Sequence, residues 1–168
     1  ATGSSIALSG YIPNNATANI VAQSIVNTSN VLQNVQYVIT PLANGCLGTP
    51  VLHTIYVEPT PTVLTSPNSQ VICSNTSSST ISFNSNVSGV TYAWNLSLAS
   101  GISTSGVVLS GAAIIPPQNF VNNGNVPANA SYSVVASLND NGLVCSGPPT
   151  LAVVQVNPLP VISASTLK

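Results

Sequence analysis

The chain has 168 residues, of which 44% are hydrophobic and only 2% are charged, and its formal net charge at pH 7 is -1. With a single Lys or Arg residue in total, it cannot neutralise the phosphates of a nucleic acid or form a polybasic patch on a membrane. Disorder requires low hydrophobicity together with high net charge, and this composition has neither. The sequence therefore predicts a folded protein whose polar surface consists of Ser, Thr and Asn.

The absence of Met and the presence of three Cys indicate the context of the chain. No apolar run approaches the ~20 residues that span a bilayer, and no charged segment marks a signal peptide. We therefore expect an internal segment of a longer polypeptide, extracellular and without membrane insertion. In such an oxidising compartment cysteines form disulfides.

One stretch of the sequence occurs twice, at residues 44–61 and again at residues 142–160. The two copies keep a constant separation of 99 positions at Cys46/Cys145, Pro50/Pro149, Val57/Val156, Pro59/Pro158 and Pro61/Pro160. A repeat of this length has the size of a β-sandwich domain. The sequence therefore predicts an all-β protein of tandem antiparallel β-sandwiches joined by Pro-x-Pro linkers.

The first unit, residues 1–58, is interpreted as the C-terminal part of one repeat. Residues 8–10 resemble residues 109–111, so we expect the unit to begin near the equivalent of residue 102. Its Val-rich and Ile-rich runs predict strands at residues 19–26, 31–40 and 51–57. Asn44-Gly45 predicts a tight hairpin turn, and the Pro-Thr-Pro sequence at residues 59–61 predicts a stiff linker.

The second unit, residues 62–158, is predicted to be a complete repeat. Residues 62–64 and 70–72 predict an edge strand that Pro67 interrupts. Alternating patterns predict further strands at residues 80–83, 90–94, 107–109, 113–115, 131–138 and 151–156, with turns at Ser88-Gly89 and 140–142. The Asn-rich residues 118–129 are interpreted as a long connection, and residues 159–168 as the start of the next repeat.

Cys73 and Cys145 both lie in the second unit and are predicted to form a disulfide. The bridge would close a loop of about 72 residues, which is worth ~4 kcal/mol in the chain-entropy model. Cys46, the counterpart of Cys145, would then be paired outside this segment. The alternative is a reactive thiol or a metal ligand, although no second Cys or His lies at metal-binding spacing.

Trp94 and Tyr92 lie two positions apart on one predicted strand and therefore share a face. Two interpretations are open for this pair. It is either part of the core between two sheets or a platform on which a carbohydrate stacks. The single Trp of the chain, one in the roughly 98 residues of this unit, favours the core.

The residues that could carry catalysis or bind a metal are few. His53 corresponds to Ala152 in the second copy, and the acidic residues are Glu58 and Asp140. General acid–base catalysis needs partners for a histidine, and calcium needs several carboxylates. We therefore predict no enzyme activity, no catalytic residue, no cofactor and no metal.

Sequons occur at six asparagines and are weak signals in a chain so rich in Asn, Ser and Thr. They are Asn15, Asn27, Asn75, Asn86, Asn95 and Asn129. They matter only if the source organism glycosylates them.

The repeated residues resemble a known class of domain. Residues 37–61, with Asn44-Gly45 and Pro59-Thr60-Pro61, and residues 71–94, with Cys73 and Tyr92-Ala93-Trp94, are similar to PKD-like, immunoglobulin-like tandem repeats. Such repeats build giant cell-surface proteins of Bacteroidetes, among them SprB-like gliding-motility adhesins. The resemblance implies a β-sandwich array, export by the type IX route and a location at the cell surface.

Three functional interpretations remain at this stage. The favoured one is a structural repeat of an extracellular filament or adhesin stalk, whose partners are neighbouring repeats of the same long chain and other copies of the filament. The second is an adhesive binding module for a surface glycan, with residues 118–129 as the candidate loop. The third is a fibre subunit that is completed by strand exchange.

Overall fold

The computed structural model describes residues 1–14, 19–103 and 106–162. In these ranges the regular secondary structure consists of β-strands, and no helix long and apolar enough to cross a membrane is present. The chain divides into two compact units, Ala1–Thr60 (unit 1) and Pro61–Lys168 (unit 2). The division falls within the segment predicted as a linker, and most of the predicted start of a third repeat, residues 163–168, lies outside the described residues.

In residues 1–14 and 19–60, unit 1 contains seven strands that form small antiparallel sheets. They are β1 (Thr2–Gly3), β2 (Leu8–Ser9), β3 (Val26–Asn27), β4 (Gln33–Ile39), β5 (Leu42–Ala43), β6 (Cys46–Leu47) and β7 (Val51–Val57). The largest sheet has the order β1-β4-β7, and β2 pairs with β3 while β5 pairs with β6. The buried apolar residues of this unit are Leu8, Val35 and Tyr37.

Unit 2 contains eleven strands among its described residues. They are β8 (Val63–Ser66), β9 (Ser69–Cys73), β10 (Thr76–Ser77), β11 (Ser82–Ser85), β12 (Thr91–Leu98), β13 (Ile102–Ser103), β14 (Ser110–Gly111), β15 (Asn119–Asn122), β16 (Ala128–Asp140), β17 (Leu143–Ser146) and β18 (Thr150–Asn157). The main sheet has the order β14-β12-β16-β18-β9, and β17 extends it by pairing with β16. Two smaller groups, β8-β11 and β10-β15-β13, complete the unit.

The core of unit 2 follows from the period-two alternation of its central strands. Alternate side chains along the middle of β16 and the later part of β18 are fully buried, namely Ala130, Tyr132, Val134, Ala136, Ala152, Val154 and Val156. The smaller sheets contribute Val63, Ile102 and Phe120 to the same apolar cluster, and Ile81 joins it from the residue ahead of β11. The all-β sandwich that the sequence predicts is therefore confirmed.

The predicted break at Pro67 is confirmed, and it lets one edge segment serve two sheets. Before the break β8 pairs with β11, and after it β9 pairs with β18. Proline cannot donate a backbone hydrogen bond, so the ladder is interrupted where it stands. The β9–β18 pairing is parallel, whereas the prediction was purely antiparallel.

The structure differs from the sequence-based prediction in four segments. Residues 107–109 and 113–115 are predicted strands, but the strand found there is β14, which lies between them, and Ile115 forms only an isolated bridge with Ile81. Residues 19–26 were expected to form a strand, but only β3 at their end is paired. Residues 118–129 were expected to be a connection, but they contain β15. The reason is that Gln118, Phe120 and Asn122 alternate into the interior, and the polar character of two of them conceals the apolar pattern of a strand.

The register of unit 1 is also corrected by the strand pairings. Leu8 pairs with Asn27, as Ile102 pairs with Asn122 in unit 2. Leu8 is therefore the counterpart of Ile102, and its predicted match with Leu109 is wrong.

The strand β1 extends this register towards Ala1. Thr2 pairs with Gln36, as Ser97 pairs with Ser131 in unit 2. In consequence β1 occupies the place of the last residues of β12, earlier than the predicted equivalent of residue 102.

Substitution of the buried indole should test the core of unit 2. Trp94→Ala is expected to lower the free energy of unfolding of unit 2 by about 3–5 kcal/mol, because it leaves a large cavity in a packed interior. Leu151→Ala, at an exposed position of β18, is the matched control and should change it by no more than about 0.5 kcal/mol. Guanidinium unfolding of both variants measures the difference, and equal losses would contradict this description of the core.

Candidate functional site

The titratable residues do not come together in a chemical site. Among the described residues, no group of three or more His, Cys, Asp or Glu side chains could hold a metal ion. Asp140 is the last residue of β16, beside the turn to β17, and its carboxylate accepts a hydrogen bond of 3.0 Å from the Asn141 side chain. His53 is exposed on β7 and pairs in register with Tyr37. In unit 2 the same place is taken by Ala152, which pairs with Tyr132.

The predicted Cys73–Cys145 disulfide is not formed, and all three cysteines are free thiols. Cys73 ends β9 beside Asn157, whereas Cys145 pairs with Leu138 near the other end of β16. At ~3.4 Å per residue, the length of β16 between these places is roughly 30 Å, far beyond the ~6 Å between the Cα atoms of a disulfide. The pairing of Cys46 outside this segment stays a prediction.

Trp94 lies in the core, and Tyr92 packs at its edge. The Trp94 side chain is 2% exposed and meets Tyr132 edge to face, with ring centroids 5.6 Å apart. It also lies against Gly111, where an added Cβ would come within 2.8 Å of the indole. Tyr92 is half-buried and contacts Phe83 at 5.3 Å between ring centroids. This geometry leaves no open face on Trp94 for a sugar.

The sequons differ in accessibility. Asn27 is 6% exposed, and its side chain is held by internal hydrogen bonds, so its amide is not accessible for glycosylation in the folded unit. The asparagines at positions 75, 86, 95 and 129 are exposed. Asn15 lies outside the described residues.

Three buried polar side chains that the sequence did not predict connect a smaller sheet of unit 2 to its main sheet. The Gln118 amide donates a hydrogen bond of 3.0 Å to the Tyr132 hydroxyl, and its oxygen accepts one of 2.7 Å from the backbone N–H of Val108. Asn122 donates to the carbonyl oxygens of Val126 and Val156, both at 2.8 Å. We refer to Gln118, Asn122 and Tyr132 as the polar triad of unit 2.

Unit 1 contains the same triad in Gln23, Asn27 and Tyr37. The Tyr37 hydroxyl donates to the Gln23 amide oxygen at 3.0 Å. Asn27 donates to the carbonyl oxygens of Val31 and Val57, at 2.9 Å and 2.8 Å. Each asparagine therefore ties its own loop to the last strand of its unit. The repetition of these contacts shows that the triad is part of the fold and not an accident of one copy.

A sequence signal for the triad exists, but at a different separation. Residues 23–37 and 118–132 share Gln-x-x-Val-Asn-x-x-Asn-Val-x-x-Asn-x-x-Tyr at 95 positions, not 99. A search at the constant offset of 99 therefore misses it. The change in offset arises in the hairpin that follows the tyrosine.

That hairpin has the same base in both units and a longer arm in unit 2. At the base, Gly48 N–H donates to the Pro41 carbonyl at 2.8 Å, and Gly147 N–H donates to the Ala136 carbonyl at 2.9 Å. Between base and turn, the arm of unit 1 has two paired positions and that of unit 2 has four. The hairpin of unit 2 therefore has two more residues on each of its strands than the hairpin of unit 1. These four residues account for the change in repeat separation from 95 to 99 positions.

Burial alters the titration of one triad member. Removal from water raises the pKa of Tyr132 well above its ordinary value of 10.0, because the phenolate would be charged in an apolar interior. The hydroxyl therefore stays protonated in the folded unit above the pH at which an exposed tyrosine ionises, while its oxygen accepts the hydrogen bond from Gln118.

A cavity of unit 1 lies on the inner face of its sheet. It has a volume of ≈ 440 Å³ and is lined by Ile20, Gln23, Ile25, Tyr37 and Ile55, among others. In unit 2 the equivalent face is closed by other strands. We refer to this feature as the unit 1 groove.

Fold and contacts together define a class: an immunoglobulin-like β-sandwich repeat with an internal polar brace and no assembled catalytic group among the described residues. The PKD-like domain family matches residues 4–61 and 70–160. The chain therefore belongs to the PKD-like domain family, with two copies in succession. No curated protein and no solved structure matches the chain.

Removal of the asparagine donors should weaken unit 2 strongly. Asn122→Asp keeps the shape of the side chain but cannot donate to Val126 and Val156, and we expect the free energy of unfolding to fall by about 2–4 kcal/mol. Asn129→Ala, on the exposed face of β16, is the control and should have little effect. Urea unfolding of the two variants provides the comparison. If Asn122→Asp lowers the free energy of unfolding no more than Asn129→Ala does, the asparagine does not brace the unit.

The raised pKa of Tyr132 predicts a loss of stability at alkaline pH. The unfolded chain releases this proton near pH 10.0 while the folded unit retains it, so the stabilisation is complete below that pH and declines as the pH rises above it. Tyr132→Phe should be less stable at neutral pH, since Gln118 loses its partner, but should show a shallower decline. Unfolding curves from about pH 9 to about pH 11 test this, and parallel declines would disprove it.

Proposed function

We propose that this chain is a structural repeat segment of a large extracellular filament or adhesin stalk on a bacterial surface. The observation that carries the proposal is that two PKD-like units follow each other and repeat the same polar triad. In a tandem array, stability is approximately a sum over units and their neighbouring interfaces. A brace that is repeated in each unit supports a role in which every unit must keep its shape.

The composition supports close association between such chains. Charged residues are 2% of the sequence, so little electrostatic repulsion opposes packing side by side. The partners in this proposal are neighbouring repeats and other copies of the filament. By the resemblance to SprB-like adhesins, we extend the proposal to export by the type IX route and a role in attachment or gliding.

The binding-module interpretation is less well supported by the described residues. Its candidate loop, residues 118–129, includes the buried side chains Gln118, Phe120 and Asn122. Trp94 is likewise enclosed in the core. Trp94 therefore lies in the interior, and the candidate loop turns alternate side chains inward while residues 123–127 are exposed.

Two measurements on native material test the proposal. Antibodies against unit 2 should label the outside of intact cells, and the denatured, non-reduced antigen should have a mass far above 17.0 kDa. Pre-absorption of the antibody with the 168-residue chain is the control for specific labelling. An antigen of about this mass, or labelling found only after cells are permeabilised, would overturn the filament proposal.

A further inference from the structure

The inner face of unit 1 is exposed at positions that are buried in unit 2. Ile20 is 42% exposed, whereas its counterpart Ile115 is 0% exposed. His53 is exposed, while Ala152 in the same register position is buried. The triad tyrosine itself borders the unit 1 groove. An apolar face of this kind is costly to leave in contact with water.

Unit 2 shows what covers this face in the same fold. Ile81 exchanges two backbone hydrogen bonds with Ile115, both of 3.0 Å. Trp94 packs edge to face on Tyr132, and Val63 joins the same apolar cluster. All the covering residues belong to the segment 61–95. Among the described residues of unit 1, no strand takes the place of this segment.

We propose that the unit 1 groove is an acceptor site for a second copy of the repeat segment 61–95, which adds strands to unit 1 as β8, β11 and β12 do in unit 2. The ligand is thus a polypeptide of defined pattern, with a branched apolar residue at the position of Ile81 and an aromatic residue at that of Trp94. Backbone pairing provides the affinity, and these two side chains provide the specificity.

The strand β1 fixes how such a segment is connected. Because Thr2 takes the place of Ser97, Ala1 takes the place of Leu96 and packs against the unit 1 core. A donated segment that continued β1 in this register would therefore bring its equivalent of Asn95 next to Ala1. This continuity favours a donor joined to unit 1 in the same polypeptide over a separate small ligand.

The groove keeps the Gln and Tyr of unit 2 but differs from it in apolar side chains, such as Ile55 in place of Val154, and in polarity at His53. The triad of unit 1 presents the same Gln and Tyr side chains as the face in unit 2. The difference in polarity is that an imidazole replaces the methyl group of Ala152, so the donated segment must accept a larger side chain. A His53→Ala variant removes this difference and provides a second test.

The experiment adds a copy of residues 61–95 immediately ahead of Ala1 in the full chain. Amide hydrogen exchange is then compared in β4 and β7, with and without the added copy. We expect exchange in both strands to slow by roughly 100-fold or more, because their opening becomes coupled to that of a completed sandwich. The amides of β16 and β18 in unit 2 serve as the internal reference for a folded protein.

The matched control carries Ile81→Asn and Trp94→Ala in the added copy only. It has the same length and connection but lacks the two side chains that fill the groove, and it should give no protection. Equal protection by this control would overturn the proposal, since any extension would then suffice. Unchanged exchange in both the extended chain and its His53→Ala form would also overturn it.

The unmodified chain distinguishes other occupants. Protection of β4 and β7 that increases with protein concentration would mean that a separate molecule fills the groove, and it would overturn the continuous donor proposed above. Concentration-independent, rapid exchange is the expected result. The inference goes beyond the filament proposal and can fail alone, because surface labelling and native mass do not depend on what fills this groove.

Discussion

The two hydrogen bonds donated by one buried asparagine set the geometry on which each unit depends. In unit 2, Asn122 starts from β15 and reaches the carbonyl oxygen of Val126 in its own loop and that of Val156 in β18. A buried amide is stable only if its polar atoms are paired. The loop and the last strand must therefore stand at fixed distances from β15, and the smaller sheet is held against the main one.

The glutamine and the tyrosine extend this constraint across the core. The ring of Tyr132 packs against Trp94, and its hydroxyl oxygen accepts a hydrogen bond from Gln118. One side chain therefore makes both apolar and polar contacts in the interior. The indole Nε1 of Trp94 has no hydrogen-bond partner among the described residues. Its burial is therefore stabilised by packing, with Tyr132 at its face and Gly111 leaving room beside it.

The apolar alternation of the sequence sufficed to predict the sandwich and most of the strands of its main sheet. The two Asn-Gly pairs predicted the hairpin turns. Asn44-Gly45 and Asn141-Gly142 both adopt the positive φ values that tight hairpins require. The polar triad was not predicted, since buried Gln and Asn look like loop residues unless their partners are known. Pairing of Cys73 with Cys145 was inferred from their number and spacing, which contain no information about the opposite ends of a sheet.

The strand pairings explain why the groove was also missed. A repeat offset shows which residues correspond, but exposure of the inner face depends on which strands are present around it. Ile20 and Ile115 are the same residue type at corresponding positions, yet Ile20 is exposed and Ile115 is fully buried.

The parallel pairing of β9 with β18 determines how unit 2 would carry tension. The chain enters the unit beside the start of β18, where Thr150 donates a hydrogen bond of 3.1 Å to the Val63 carbonyl, and it leaves from the opposite end of β18. A pull between Pro61 and Pro158 therefore draws β9 and β18 past each other along their length. The backbone pairs from Ser69–Val153 to Cys73–Asn157 are then loaded in shear at the same time. In a hairpin that is pulled at its open end, by contrast, the hydrogen bonds break one after another. Such a unit resists stretching best along the line that joins its own ends.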